Sequence, residues 1–208
     1  MKKPDFNSER EEEHPWKRFP IENNNSKSLI LGSFPPSKFT IDEYPKTICD
    51  IDFFYGSKEN SFWDLFIDAK NLDIKWPDEI QKLKDWLYEN KWVVSDIVLK
   101  TKRKNDTAFD NDLNVVEWNE NIIEGILLNN PIKKIYFTSR FVEEKFKKKI
   151  ERKLKLNLDK IEFVTLISPS PNGLRKAEWS YKLTSSPKLK NETLTEFRLR
   201  YYTEKLKN

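Results

Sequence analysis

The sequence predicts an α/β protein: a three-layer α/β/α sandwich around a central, mainly parallel four-stranded sheet. Three observations predict it. Four short apolar runs bounded by turn residues have the character of strands buried on both faces: Ser28 to Phe34, Trp92 to Val98, Lys134 to Thr138 and Glu162 to Ile167. The stretches Phe62 to Asp68, Pro77 to Glu89, Val115 to Leu128 and Arg140 to Leu154 carry apolar residues three and four apart, the spacing of a helix with one buried face. Finally, the two kinds of segment alternate, which calls for a parallel sheet covered on both sides by right-handed crossovers.

Taken in order, residues 1–27 are polar, contain Pro4, Pro15 and Pro20 and end in Asn23-Asn24-Asn25, so they read as an irregular lead-in. Residues 28–208 read as one domain, a size compatible with a single core. Pro77 sits early in its helix, where its missing N–H costs no hydrogen bond. A last helix is expected over Asn191 to Leu206. In such folds ligands bind beyond the carboxyl ends of the strands. There the sequence puts its least ordinary segments: Gly32 to Pro36, Asp96 to Arg103 and Ser168 to Arg175.

Composition narrows the chemistry. Seven Trp, seven Tyr and fourteen Phe supply bulky core material although only 37% of residues are hydrophobic. A single Cys49 and a single His14 cannot build a disulfide or a soft-ligand metal site, so a metal-free, cofactor-free protein of the reducing cytoplasm is expected. Four glycines and no phosphate-binding loop argue against a nucleotide-cofactor enzyme. No apolar stretch suits a signal peptide or membrane span. The formal charge of +4 is uneven: lysines crowd residues 145–160, while 11–13 and 106–112 are acidic. A basic half suits a polyanionic partner, although lysine-rich faces are often merely solvated.

Three motifs follow one another in the chain. Gly32-Ser33-Phe34-Pro35-Pro36 precedes Tyr55 and Asn60-Ser61-Phe62-Trp63; next come Asp96, Arg103 and Ala108-Phe109-Asp110; last comes Ser168-Pro169-Ser170-Pro171-Asn172-Gly173-Leu174-Arg175. Taken alone, each has a bland use as a chain reversal, an aromatic core or a strand cap. In this order, over roughly Leu29 to Trp179, they resemble the uracil-DNA glycosylase superfamily. The nearest likeness is to the hypoxanthine-DNA glycosylase branch and its bacterial relatives, with Gly-Ser-Phe-Pro as the first turn, an Asn-x-Phe-Trp motif and a Pro-x-Pro-x-Gly-Leu loop. Ser95 stands where the branch usually has Trp.

The resemblance implies a monofunctional glycosylase, acting as a monomer on DNA, that extrudes a deaminated base (uracil, hypoxanthine or both) and hydrolyses its glycosidic bond in base excision repair. Asn60 would orient the attacking water. Asp52, close in sequence, would be the anion opposite the cationic sugar. Tyr55 would be the stacking platform, with Ser33, Phe34, Asp96 and Ser168 contacting the base. Lys38, Arg103, Ser170, Asn172, Gly173, Arg175 and Lys176 would hold DNA, and Leu174 would wedge into the vacated stack. Ser168 occupies the place of a His in the classical uracil enzymes, which implies slower base departure. Pro36 lacks the N–H that a Gly would offer a phosphate.

Two alternatives stand beside this reading. One is a catalytically silent DNA-binding module on the same fold. The other is an unrelated hydrolase, which would need a nucleophile–base pair or metal ligands; the sequence shows no Gly-x-Ser-x-Gly elbow, and its one His14 lies in the lead-in, where it is expected to be structural or exposed.

Overall fold

A computed structural model describes residues 5–20, 24–105, 107–171, 173 and 191–207. Strands β1 (Glu11–Glu13), β2 (Ser28–Gly32), helices α1 (Phe62–Lys70) and α2 (Ile80–Glu89), then β3 (Trp92–Asp96), β4 (Val98–Arg103) and β5 (Leu113–Trp118) form the first part of the chain. Helix α3 (Glu120–Asn129), β6 (Lys134–Phe137), α4 (Arg140–Lys145), β7 (Glu162–Thr165) and α5 (Leu194–Leu206) follow. Helix α4 runs on as a π-helical segment, Phe146–Glu151.

The four expected sheet strands form one all-parallel sheet in the order β3-β2-β6-β7. Successive strand residues point to opposite faces, and the core divides accordingly. Ile30, Val94, Tyr136 and Val164 pack with α1, α2 and α5, through residues such as Phe62, Phe66, Leu83 and Phe197. Leu29, Leu31, Val93, Ile135 and Phe137 pack on the other face with Ile123 and Ile126 of α3, Val142 of α4 and Phe146 and Ile150 beyond it. Leu29, Ile30 and Leu31 have no exposed surface, and full burial of each side chain contributes about 1.5–3 kcal/mol. The three-layer sandwich is therefore present, with β2 and β6 in the interior of the sheet.

Several segments differ from expectation. Trp92 to Val98 is not one strand: β3 ends at Asp96, and Val98 begins β4 in a second, antiparallel sheet of order β1-β4-β5. Val115 to Leu128 is not one helix either. Val115, Trp118 and Ile122 do fall at helical spacing, but Val115 and Val116 are neighbouring β-branched residues of β5, where Val115 pairs with Thr101 of β4, and α3 begins only at Glu120. The lead-in is partly ordered, because Glu11–Glu13 pairs with Lys100–Lys102. Its inward residue, Glu12, is charged, so the segment lacks the alternation that marks a strand.

Candidate functional site

The chain leaves β2 for β3 on one side and later crosses to β6 on the other, so the connections diverge next to β2. A cavity of about 1060 Å³ opens at the carboxyl ends of these strands. Its wall is drawn from the turn after β2 (Ser33, Phe34), the loop before α1 (Tyr55, Asn60), the end of β3 (Asp96) and the loop after β7 (Ser168, Ser170, Gly173). Thr138 and Ser139, beyond β6, complete it. Five separate chain segments thus meet at one mouth.

The turn Gly32 to Pro36 is held by the second sheet. Ile97 and Val98 donate their N–H groups to the carbonyls of Gly32 and Ser33, at 2.9 and 3.2 Å. The N–H groups of Ser33 and Phe34 meet no acceptor among the described residues, which leaves two donors beside the cavity. Phe34 packs edge-on against His14, with ring centroids 5.5 Å apart.

Tyr55 has a left-handed backbone, φ 56°, unusual for a bulky side chain. The ring leans on Phe62, centroid to centroid 4.5 Å, and the hydroxyl donates to Asp96 Oδ1 at 3.1 Å. Burial first, and then the Asp96 carboxylate, push the phenol well above its ordinary pKa, so it remains a neutral donor. Asp96 is itself buried, and its Oδ2 lies 2.8 Å from Nε2 of His14. His14 Nδ1 accepts the Trp16 N–H at 3.0 Å, which puts the imidazole proton on Nε2 and makes His14 the donor to Asp96.

Asn60 stands one residue before the N-cap of α1, Ser61: its Oδ1 accepts the Phe62 N–H at 2.9 Å, while its amide nitrogen has no partner among the described residues. An amide oxygen has two lone pairs, so accepting this one bond leaves the other free to orient a water. In the loop after β7, Ser168 Oγ and Ser170 Oγ are 3.0 Å apart, and the Gly173 N–H donates to the Ser170 carbonyl at 2.9 Å. A side chain at Gly173 would meet the Ser168 carbonyl oxygen at 2.1 Å, so only glycine fits that fold-back.

Other expected site residues fall elsewhere. Asp52 is not in the cavity wall; its exposed carboxylate pairs with Lys46 at 2.5 Å. Arg103 is not a free phosphate ligand: it is buried, with Nε on Glu12 at 2.9 Å and Nη2 on the Pro35 carbonyl at 2.6 Å. Lys38 lines the cavity but is tied to Asp50 at 2.6 Å and Glu59 at 2.8 Å, which offset its charge. Asn172, Leu174, Arg175 and Lys176 lie outside the described residues. His14, expected to be structural or exposed, is buried against the cavity's carboxylate. Its one hint in the sequence was Trp16 and Phe19 nearby, an apolar pattern too sparse to set burial.

Among the described residues no cluster of three His, Cys, Asp or Glu side chains could hold a metal ion, and no helix is long and apolar enough to cross a membrane. No protein-family model matches the sequence, and no curated protein matches it. Among solved structures the chain is similar to the solution structure of a Methanosarcina acetivorans protein provisionally named a uracil DNA glycosylase. The TM-score is 0.50 at 18% identity, covering 90% of this chain and 96% of the other. The likeness is one of fold: the α/β architecture is shared across nearly the whole length of both chains.

Proposed function

We propose that the protein is a monofunctional DNA glycosylase that takes an extruded, deaminated base, uracil or hypoxanthine, into the cavity beyond β2 and hydrolyses its glycosidic bond. The observation that carries this reading is the convergence of Asn60, Tyr55, Asp96 and the Ser33–Phe34 amides on one cavity at the carboxyl edge of the sheet. The fold likeness to the Methanosarcina acetivorans protein, and the order of the sequence motifs, support it.

Each group has a use in that chemistry. The aromatic ring of Tyr55 offers a face for a base, an interaction of about 1–3 kcal/mol. Free N–H groups at Ser33 and Phe34 suit a carbonyl oxygen on the base, where negative charge gathers as the bond breaks. Asn60 holds water and cannot deprotonate it, which is sufficient when the electrophile is already cationic. Ser168, Ser170 and Gly173 line the same cavity, and phosphates and the opened stack would lie against that loop.

The test is incubation with labelled oligonucleotides containing one uracil or one hypoxanthine, in duplex and single strands, followed by alkali, beside Asn60→Ala. Strand cleavage at the lesion is expected, lowered about 10²-fold or more in the variant. Tight, salt-sensitive binding without cleavage would instead favour a DNA-binding module, a reading to which the serine at position 168 also lends weight. Neither cleavage nor binding would remove DNA as the partner.

A further inference from the structure

The cavity wall holds four carboxylates among the described residues: Glu59, Asp96, Asp110 and Glu143. Only Asp96 is buried. Glu59 is paired with Lys38, and Glu143 with Lys147 at 2.7 Å. Among the described residues no Lys or Arg contacts Asp96; its partners there are His14 Nε2–H and the Tyr55 hydroxyl, one on each oxygen. Both oxygens accept, which is the pattern of a carboxylate and not of a carboxylic acid. Two neutral donors fix its orientation but leave its negative charge uncancelled.

Its backbone is fixed as firmly. Asn119 Nδ2 donates to the Asp96 carbonyl at 2.9 Å, and β3 pairs with β2 so that Asp96 stands opposite Gly32. A Cβ at Gly32 would lie 2.4 Å from Asp96 Oδ1 and 2.5 Å from the Tyr55 hydroxyl, so β2 ends in the one residue that lets both close on its backbone. An oriented charge in a poorly hydrated wall acts on a nearby cation far more strongly than the same charge in water.

We propose that Asp96, and not Asp52, is the catalytic carboxylate that stabilises positive charge on the sugar, with His14 and Tyr55 as the positioning residues that hold it. The assignment rests on the glycosylase reading. As the bond between C1′ and the base nitrogen breaks, its electron pair leaves with the base and C1′ becomes an oxocarbenium centre facing Asp96. The oxygen of the water held by Asn60 attacks C1′; the proton that this water releases compensates the base anion, directly or through solvent. The products are the free base and an abasic sugar bearing the new hydroxyl.

The charge of Asp96 is testable without turnover. Duplexes carrying one pyrrolidine nucleotide, a cationic abasic analogue, and one tetrahydrofuran nucleotide, its neutral counterpart, are titrated against the wild type and variants, with excision of uracil and hypoxanthine measured in parallel. The wild type is expected to prefer the cation about tenfold or more. Asp96→Asn should abolish that preference and Asp52→Asn should keep it. His14→Ala should weaken it, and His14→Gln, whose amide can replace the Nε2–H donor, should restore it. A preference absent from the wild type, or undiminished in Asp96→Asn, overturns the assignment. Should Asp96→Asn fail to fold, an undiminished preference in both His14→Ala and Tyr55→Phe overturns it equally. Excision with no cation preference sinks this assignment alone, whereas absence of both excision and binding sinks the glycosylase reading and the assignment with it.

Discussion

Asp50 shows how one residue anchors the edge of the site. Its side chain is shielded from solvent and accepts from Lys38 Nζ at 2.6 Å, the Thr47 N–H at 2.7 Å and the Lys58 N–H at 3.0 Å. Burial alone would raise its pKa, but Lys38 and the two backbone donors outweigh that and hold it at about 2, below the ordinary 3.8. Because the folded value is the lower one, the stabilisation is complete above about pH 4 and is lost as pH falls towards 2. It is on the order of 2 kcal/mol. Urea melts of wild type and Asp50→Asn should therefore differ by about that much at pH 7 and converge only as pH falls below the folded value of about 2; a gap independent of pH would contradict the assignment. The sequence singled out Lys38 as a phosphate ligand because an exposed-looking lysine after a strand turn carries no sign of its partner. Asp50 and Glu59 reach it only through the fold of the intervening loop. The pairing of His14 with Asp96 was opaque for the same reason, the two being 82 residues apart.

Between elements, the loop after β7 is tied to two helices by a single guanidinium. Arg198 of α5 is buried with no carboxylate partner among the described residues, and burial pushes its pKa down. It donates to Ser61 Oγ at 2.9 Å and, at longer range, to the carbonyls of Ser168 at 3.4 Å and Ser170 at 3.5 Å. Ser61 in turn donates to the Pro169 carbonyl, from Oγ at 2.8 Å and from N at 3.3 Å. Local bonds close only part of the loop, through the Gly173 N–H and the Ser168 and Ser170 hydroxyls, because Pro169 and Pro171 have no N–H to contribute. Arg198→Ala should cost about 1–3 kcal/mol, the penalty of leaving these acceptors without a donor. Hydrogen exchange should rise most in a peptide covering residues 166–171, and an equal rise in β2 would argue against a local clamp. At this scale the parallel sheet and the helices α1, α2 and α5 were legible, since there the apolar runs and the helical spacing agree with the elements that form. Helix α3 was legible but was begun too early, because the spacing of Val115, Trp118 and Ile122 coincides with a helical period in a stretch whose first part is strand β5.

Across the whole molecule, the second sheet fastens the lead-in to the site, and a buried ion pair holds it there. Glu12 and Arg103 are each about 3% exposed, with Arg103 Nε 2.9 and 3.2 Å from the two carboxylate oxygens. The same guanidinium reaches the Pro35 carbonyl of the turn after β2 and lies over Phe34, 5.6 Å from its ring centroid. The lead-in also delivers His14 to Asp96 and Trp16 to the core, and Phe19 bridges to Val94. A charged strand of three residues leaves no periodic mark, so the sequence could show the central sheet and not this brace. Breaking the pair should be far worse than replacing it, because either single change strands a charge away from water whereas two apolar side chains need no partner. Glu12→Leu and Arg103→Met are each expected to cost about 3–5 kcal/mol in urea denaturation. The double variant should recover much of that loss, giving a coupling of at least about 1 kcal/mol. Under the proposed glycosylase function, its excision of uracil or hypoxanthine should nevertheless stay below wild type, since Met cannot donate to the Pro35 carbonyl and the turn bearing Ser33 and Phe34 loses its tether. Additive costs would mean that Glu12 and Arg103 do not act as a pair, and full activity in the double variant would mean that the turn is held by the sheet alone.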